Sequence, residues 1–177
     1  FLKFVSKNKH VFKRIIYEQT GKTLLLDDKG EEVTNSSFLV RPKNEPFPVM
    51  AVNQERLTKV YEYLLELANY TNVIWFGPRI EPHISERFML KVGCKFQYAL
   101  SPEKIAPFNE LDKAIKNIIQ RSDLQPGLDF ISQIELVNFD ISSDFTSCKK
   151  LYWSDGNHWS AHGERLFGQR LTKLISF

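Results

Sequence analysis

The run Asn72-Val73-Ile74-Trp75-Phe76, almost wholly apolar and cut off by Gly77-Pro78, constrains the fold more than any other stretch. A continuous apolar run of this length suits a strand buried on both faces, the condition of a parallel sheet covered by helices. Helical spacing brackets it. Upstream, Asn53 can cap a helix in which Leu57, Val60, Tyr61, Leu64, Leu67 and Ala68 recur at three- and four-residue intervals. Downstream, Pro107 precedes a second helix with Phe108, Leu111, Ala114, Ile115, Ile118 and Ile119 on one face. Pro126-Gly127 then turns the chain into a short strand at Asp129-Phe130-Ile131. A loop of about twenty residues follows, and Ser160 can cap a last helix running to about Leu174. From residue 53 the order is helix, strand, helix, strand, loop, helix. That alternation predicts an α/β fold, a three-layer α/β/α arrangement around a parallel sheet. In such sheets the reactive groups gather beyond the carboxyl ends of the strands.

The N-terminal part is less regular. Phe4, Val5, Val11, Phe12, Ile15 and Ile16 stand among lysines between residues 4 and 19 and predict a helix with one apolar face, ended by Gly21. Thr23-Leu24-Leu25-Leu26, the polar turn Asp27-Asp28-Lys29-Gly30 and Glu31-Glu32-Val33 read as a small hairpin. Three prolines between Arg41 and Pro48 mark an irregular connector. Residues 1–52, a helix and a hairpin, are expected to belong to the same domain as the alternating segment 53–177. Residues 85 to 100 follow no single period.

Composition narrows the function classes. A hydrophobic content of 42% with a charged content of 25% is that of a globular domain. No run approaches the ~18 apolar residues of a membrane-spanning helix. The net charge of +3 comes with no long basic stripe and no nucleic-acid module, so a nucleic-acid partner is not expected. A Gly-rich phosphate loop is absent too, which argues against a nucleotide cofactor. The cysteines, Cys94 and Cys148, are too few to hold a metal unaided. Asp155, His158 and His162 have the ligand types for a metal, but neither a supporting second shell nor an open coordination position can be read from the sequence, and no metal is expected.

The chemistry is concentrated in Tyr152-Trp153-Ser154-Asp155-Gly156-Asn157-His158-Trp159-Ser160, followed by Gly163. Asp155 and His158 lie three residues apart in a turn-forming run ahead of a helix. Acyl transfer through a serine needs an imidazole to take the nucleophile's proton. It also needs a carboxylate on the other ring nitrogen to fix the tautomer and stabilise the imidazolium. A tight turn can fold Asp155 back onto His158. Trp153 and Trp159 can wall a pocket or pack the turn, and His83, after Gly77-Pro78, reads as a loop residue.

This run resembles the last conserved block of the SGNH (GDSL-type) hydrolases, and is most similar to the SGNH domain that follows the membrane part of bacterial O-acyltransferases. Val73-Ile74-Trp75-Phe76-Gly77-Pro78 is similar to the family's late central strand. Cys148, seven residues before Asp155, stands where many periplasmic members have a cysteine. The resemblance spans about residues 50 to 177. It implies an SGNH/flavodoxin-like sheet and a serine esterase or O-acyl (acetyl) transferase acting on glycan or polyol esters. In that reaction His158 is the base and Asp155 its partner, with Ser160 and Gly163 at structural positions of the helix start. It also implies a periplasmic or extracellular location, in which Cys94 and Cys148 can form a disulfide, and an N-terminal or membrane acyltransferase part elsewhere in a longer chain.

The family's Gly-Asp-Ser nucleophile block does not occur in these 177 residues, and Ser36 and Ser37 sit in no strand-to-helix elbow. Two readings follow. In one, this is the C-terminal part of the enzyme, truncated before the first strand or strands, with the serine in a preceding segment. In the other, it is a non-catalytic accessory domain of the same scaffold that binds a polysaccharide or protein through the Trp153 and Trp159 region.

Overall fold

The computed structural model describes residues 1–33, 49–79, 102–120, 127–140, 144, 146–147, 150–154 and 158–172. Cys94, Cys148, Asp155, His83 and the serines at 36 and 37 lie outside the described residues.

The architecture is α/β, built on a three-stranded parallel sheet. Its strands are β1 (Arg14–Tyr17), β4 (Asn72–Phe76) and β5 (Leu128–Ile131), side by side in that order. The helices are α1 (Leu2–Lys7), α2 (Gln54–Ala68), α3 (Pro102–Gln120), α4 (Gln133–Val137) and α5 (Ala161–Thr172). A 3-10 turn at Gly21–Leu24 and two short antiparallel pairs complete the described elements: β2 (Leu25–Leu26) with β3 (Ala51–Val52), and β6 (Thr146–Ser147) with β7 (Lys150–Leu151). No described helix is long and apolar enough to cross a membrane.

The apolar run at 72–76 is the central strand, as its composition requires. In-register rows Ile15, Val73, Leu128 and Tyr17, Trp75, Phe130 share one face of the sheet and enter the main core. Leu57, Leu64 and Leu67 of α2 and Phe108, Leu111 and Ile115 of α3 close that core. Val73 and Trp75 are at most 1% exposed, and burying such side chains contributes about 2–3 kcal/mol each before entropy is counted. Tyr17 meets Trp75 edge-to-face at 6.1 Å, which stitches β1 to β4 across the row.

Both predicted caps form. Asn53 Oδ1 accepts from the Arg56 amide at 3.0 Å, and Ser160 Oγ accepts from the amides of His162 and Gly163 at 3.2 and 3.1 Å.

The N-terminal helix expected over residues 4–19 is corrected. Helix α1 stops at Lys7, where the Asn8 side chain donates to the Phe4 carbonyl, and Arg14–Tyr17 is a parallel strand. Ile15, Ile16 and Tyr17 are strand formers, and pairing with β4 outweighs a helical spacing that five intervening polar residues had already weakened. Helix α3 begins at Pro102 and carries Pro107 inside it, so the helix starts earlier than that proline suggested. The hairpin turn at 27–31 forms, with a Leu26–Glu32 bridge, but the regular partner of Leu25–Leu26 is Ala51–Val52. The long loop after β5 contains α4, capped by Ser132, and the β6–β7 pair.

Candidate functional site

Residues 152–154 pair with residues 158–160. Trp153 and Trp159 form an antiparallel bridge, the Ser154 amide donates to the His158 carbonyl at 2.9 Å, and the Ser160 amide donates to the Tyr152 carbonyl at 2.9 Å. The Ser154 hydroxyl adds a bond to the His158 carbonyl at 3.2 Å. His158 is therefore held beside the Trp153–Trp159 bridge and is exposed to solvent, whereas Asp155 lies outside the described residues. His162 is also exposed, in the first turn of α5.

An aromatic cluster fixes this turn to the last helix. Phe167, fully buried, has Trp159 at 4.8 Å, Trp153 at 5.9 Å and Phe139 at 5.7 Å between ring centroids. Trp153 is 3% exposed. It is a core residue of this second cluster. Trp159 is half-buried and forms part of a shallow cleft together with Arg79, Gln133, Phe139 and Trp153.

The opposite wall of that cleft is set by the end of β4. The Gly77 amide donates to the Ile131 carbonyl at 2.8 Å, and the Gly77 carbonyl accepts from Gln133 Nε2 at 2.8 Å. A side chain at 77 is excluded, because a Cβ there would stand 2.9 Å from the Phe130 ring and 3.0 Å from Asp112 Oδ1. The strand end is thus clamped, and the next residues leave it in a fixed direction. Arg79 pairs with Glu18 (Nε to Oε1, 3.9 Å), just beyond β1, and its guanidinium lies 5.8 Å over the Trp159 ring.

Asp112 lies under the clamp, 6% exposed, with no hydrogen-bond partner for Oδ1 among the described residues. Burial pushes its carboxyl up to about 6; the Ser132 hydroxyl bond opposes this, Glu135 adds to it, and Lys116 lowers it. The folded chain holds the proton up to about 6, whereas the unfolded chain releases it near 3.8. Between those values the folded state binds more protons, so this group's contribution to stability is present at low pH and is lost as pH rises through the folded value. The Asp112→Asn variant, which cannot ionise, is expected to gain about 2 kcal/mol over the parent between pH 4 and pH 7.5. Urea midpoints of both proteins at the two pH values check this; a difference between them that does not change with pH sinks it.

The sequence singled out the turn and the strand end separately. The family resemblance placed both in one fold, but no local signal pointed to Arg79, Gln133, Asp112 or Ser132 as the residues between them. A positional signal for three of them was present: Arg79 follows the strand-ending Gly77-Pro78, and Ser132-Gln133 follows the last parallel strand directly. Comparison of the chain with family models, curated proteins and solved structures returned no match.

Proposed function

We propose that this chain is the C-terminal part of an SGNH-type serine esterase or O-acyl transferase, with His158 as general base and Asp155 as its orienting carboxylate. The observation that supports it is the closed turn. The Trp153–Trp159 bridge and the Ser160 cap hold His158 exposed at a helix entrance, and Arg79 ties that turn to the carboxyl end of the sheet. On this reading the sheet belongs to a three-layer SGNH/flavodoxin-like domain whose first strand or strands, and whose serine, lie in a preceding segment of a longer polypeptide. The substrate is an acylated glycan or polyol. The compartment is periplasmic or extracellular, where Cys94 and Cys148 can bridge.

The chemistry follows from the residue types. The serine Oγ attacks the ester carbonyl carbon while the imidazole of His158 takes its proton, and Asp155 stabilises the resulting imidazolium. Collapse of the tetrahedral intermediate breaks the bond to the alcohol oxygen, which leaves with the proton from His158. Water or an acceptor hydroxyl then gives its proton to His158 and attacks the acyl carbon; collapse breaks the bond to the serine Oγ, which takes the proton back from His158.

In the serine-containing protein, His158→Ala is expected to lower kcat on 4-nitrophenyl acetate by roughly 10³-fold or more, and Asp155→Ala by somewhat less. Turnover within ten-fold of the parent in both folded variants would overturn the assignment.

A further inference from the structure

We infer that Arg79 is a positioning residue that holds the His158 turn over the carboxyl end of the parallel sheet. This inference rests on the reading of His158 as the base.

The sheet and the turn belong to two apolar clusters that share Phe139. The main core gathers β1, β4, β5, α2 and α3, whereas Trp153, Trp159 and Phe167 pack with Val137 in the second, and Phe139 packs against both. A base carried on one cluster and a nucleophile delivered to the sheet end must be kept in register, since a displacement of about 1 Å can cost 10²-fold in rate. Arg79 is built for that connection. Its backbone leaves a strand end pinned on both sides, by the Ile131 carbonyl and by Gln133. Its guanidinium lies between the Glu18 carboxylate, which follows β1 and stands 3.9 Å from Nε, and the face of Trp159, the residue after His158. The side chain is 22% exposed, so the stacking is partly desolvated and stronger than on an open surface. A planar guanidinium can stack on the indole and pair with the carboxylate together, which an ammonium does less well.

The test uses two readouts. In the 177-residue chain labelled with 5-fluorotryptophan, Arg79→Ala is expected to shift the Trp159 fluorine resonance while circular dichroism is retained. In the serine-containing protein, Arg79→Ala is expected to lower kcat on 4-nitrophenyl acetate roughly 10- to 100-fold with KM changed less than about threefold. Arg79→Lys should fall between the parent and Arg79→Ala. If Arg79→Ala does not fold, Glu18→Gln, which weakens the contact on the other side of the guanidinium, is expected to lower kcat about two- to fivefold. An unshifted Trp159 signal, or kcat within twofold of the parent where His158→Ala is inactive, overturns the positioning role alone. Full activity of His158→Ala overturns the site itself.

Discussion

Gly163→Ala is expected to unseat the His158 turn and to lower the stability of the chain by about 3 kcal/mol or more. The sign runs against helix propensity. Alanine inside a helix is ordinarily better than glycine by about 1 kcal/mol. At 163, however, an added Cβ would stand 1.9 Å from the Tyr152 carbonyl oxygen and 3.2 Å from Trp159 Cβ. The first of these is backbone, and it is already fixed by the Ser160 amide at 2.9 Å. Relief requires either the helix entrance or the turn to move, and both hold His158. Gly168, one and a half turns further along the same helix, meets nothing within 4 Å, so Gly168→Ala should stabilise the chain by about 0.5–1 kcal/mol. Thermal melts of the two variants decide the matter. For a chain of this size the first should fall by roughly 6–12 °C and the second rise by about 1–4 °C. A Gly163→Ala protein as stable as the parent would mean that the helix does not press on the turn in this way.

The second large effect is expected from Arg170→Met, at about 3–5 kcal/mol of destabilisation. Arg170 is bidentate to Asp144, with Nη1 to Oδ2 at 2.5 Å and Nη2 to Oδ1 at 2.8 Å, and it also donates to the Val137 carbonyl at 3.1 Å. The Asp144 side chain is 3% exposed. Removing the guanidinium leaves that carboxylate buried, with the Asp140 amide at 2.7 Å still donating to it. The loss is the cost of an uncompensated buried charge more than the net worth of the pair. The double variant Asp144→Leu/Arg170→Met removes both charges and should recover much of the loss. Chemical denaturation of the two variants checks this. A double variant no more stable than Arg170→Met would assign the effect to packing against Phe167 and Val137 instead. Since α5 is clamped here to the end of α4, the single variant should also loosen the His158 turn at the helix's other end.

Local features of the chain determined a good part of this structure. The central strand was legible because five residues in a row, closed by Gly-Pro, can be stable as a strand only when both faces are covered. Helix α2 and the entrance to α5 were legible because a cap and an apolar period act within a few residues of each other.

Strand β1 was not, because a four-residue strand beside an irregular apolar pattern acquires its conformation from its neighbour β4, nearly sixty residues away. The pairing of Leu25–Leu26 with Ala51–Val52 is of the same kind. Tertiary structure alone decided that Trp153 belongs to a core, that Asp112 is buried beneath Gly77, and that Arg79 reaches Trp159. Each depends on two segments distant in sequence arriving within a few ångströms, and neither segment carries a local signal of the other. Sequence fixes what a segment can be by itself; burial and pairing, which set the charge state of Asp112 and the seat of the His158 turn, are properties of the packed whole.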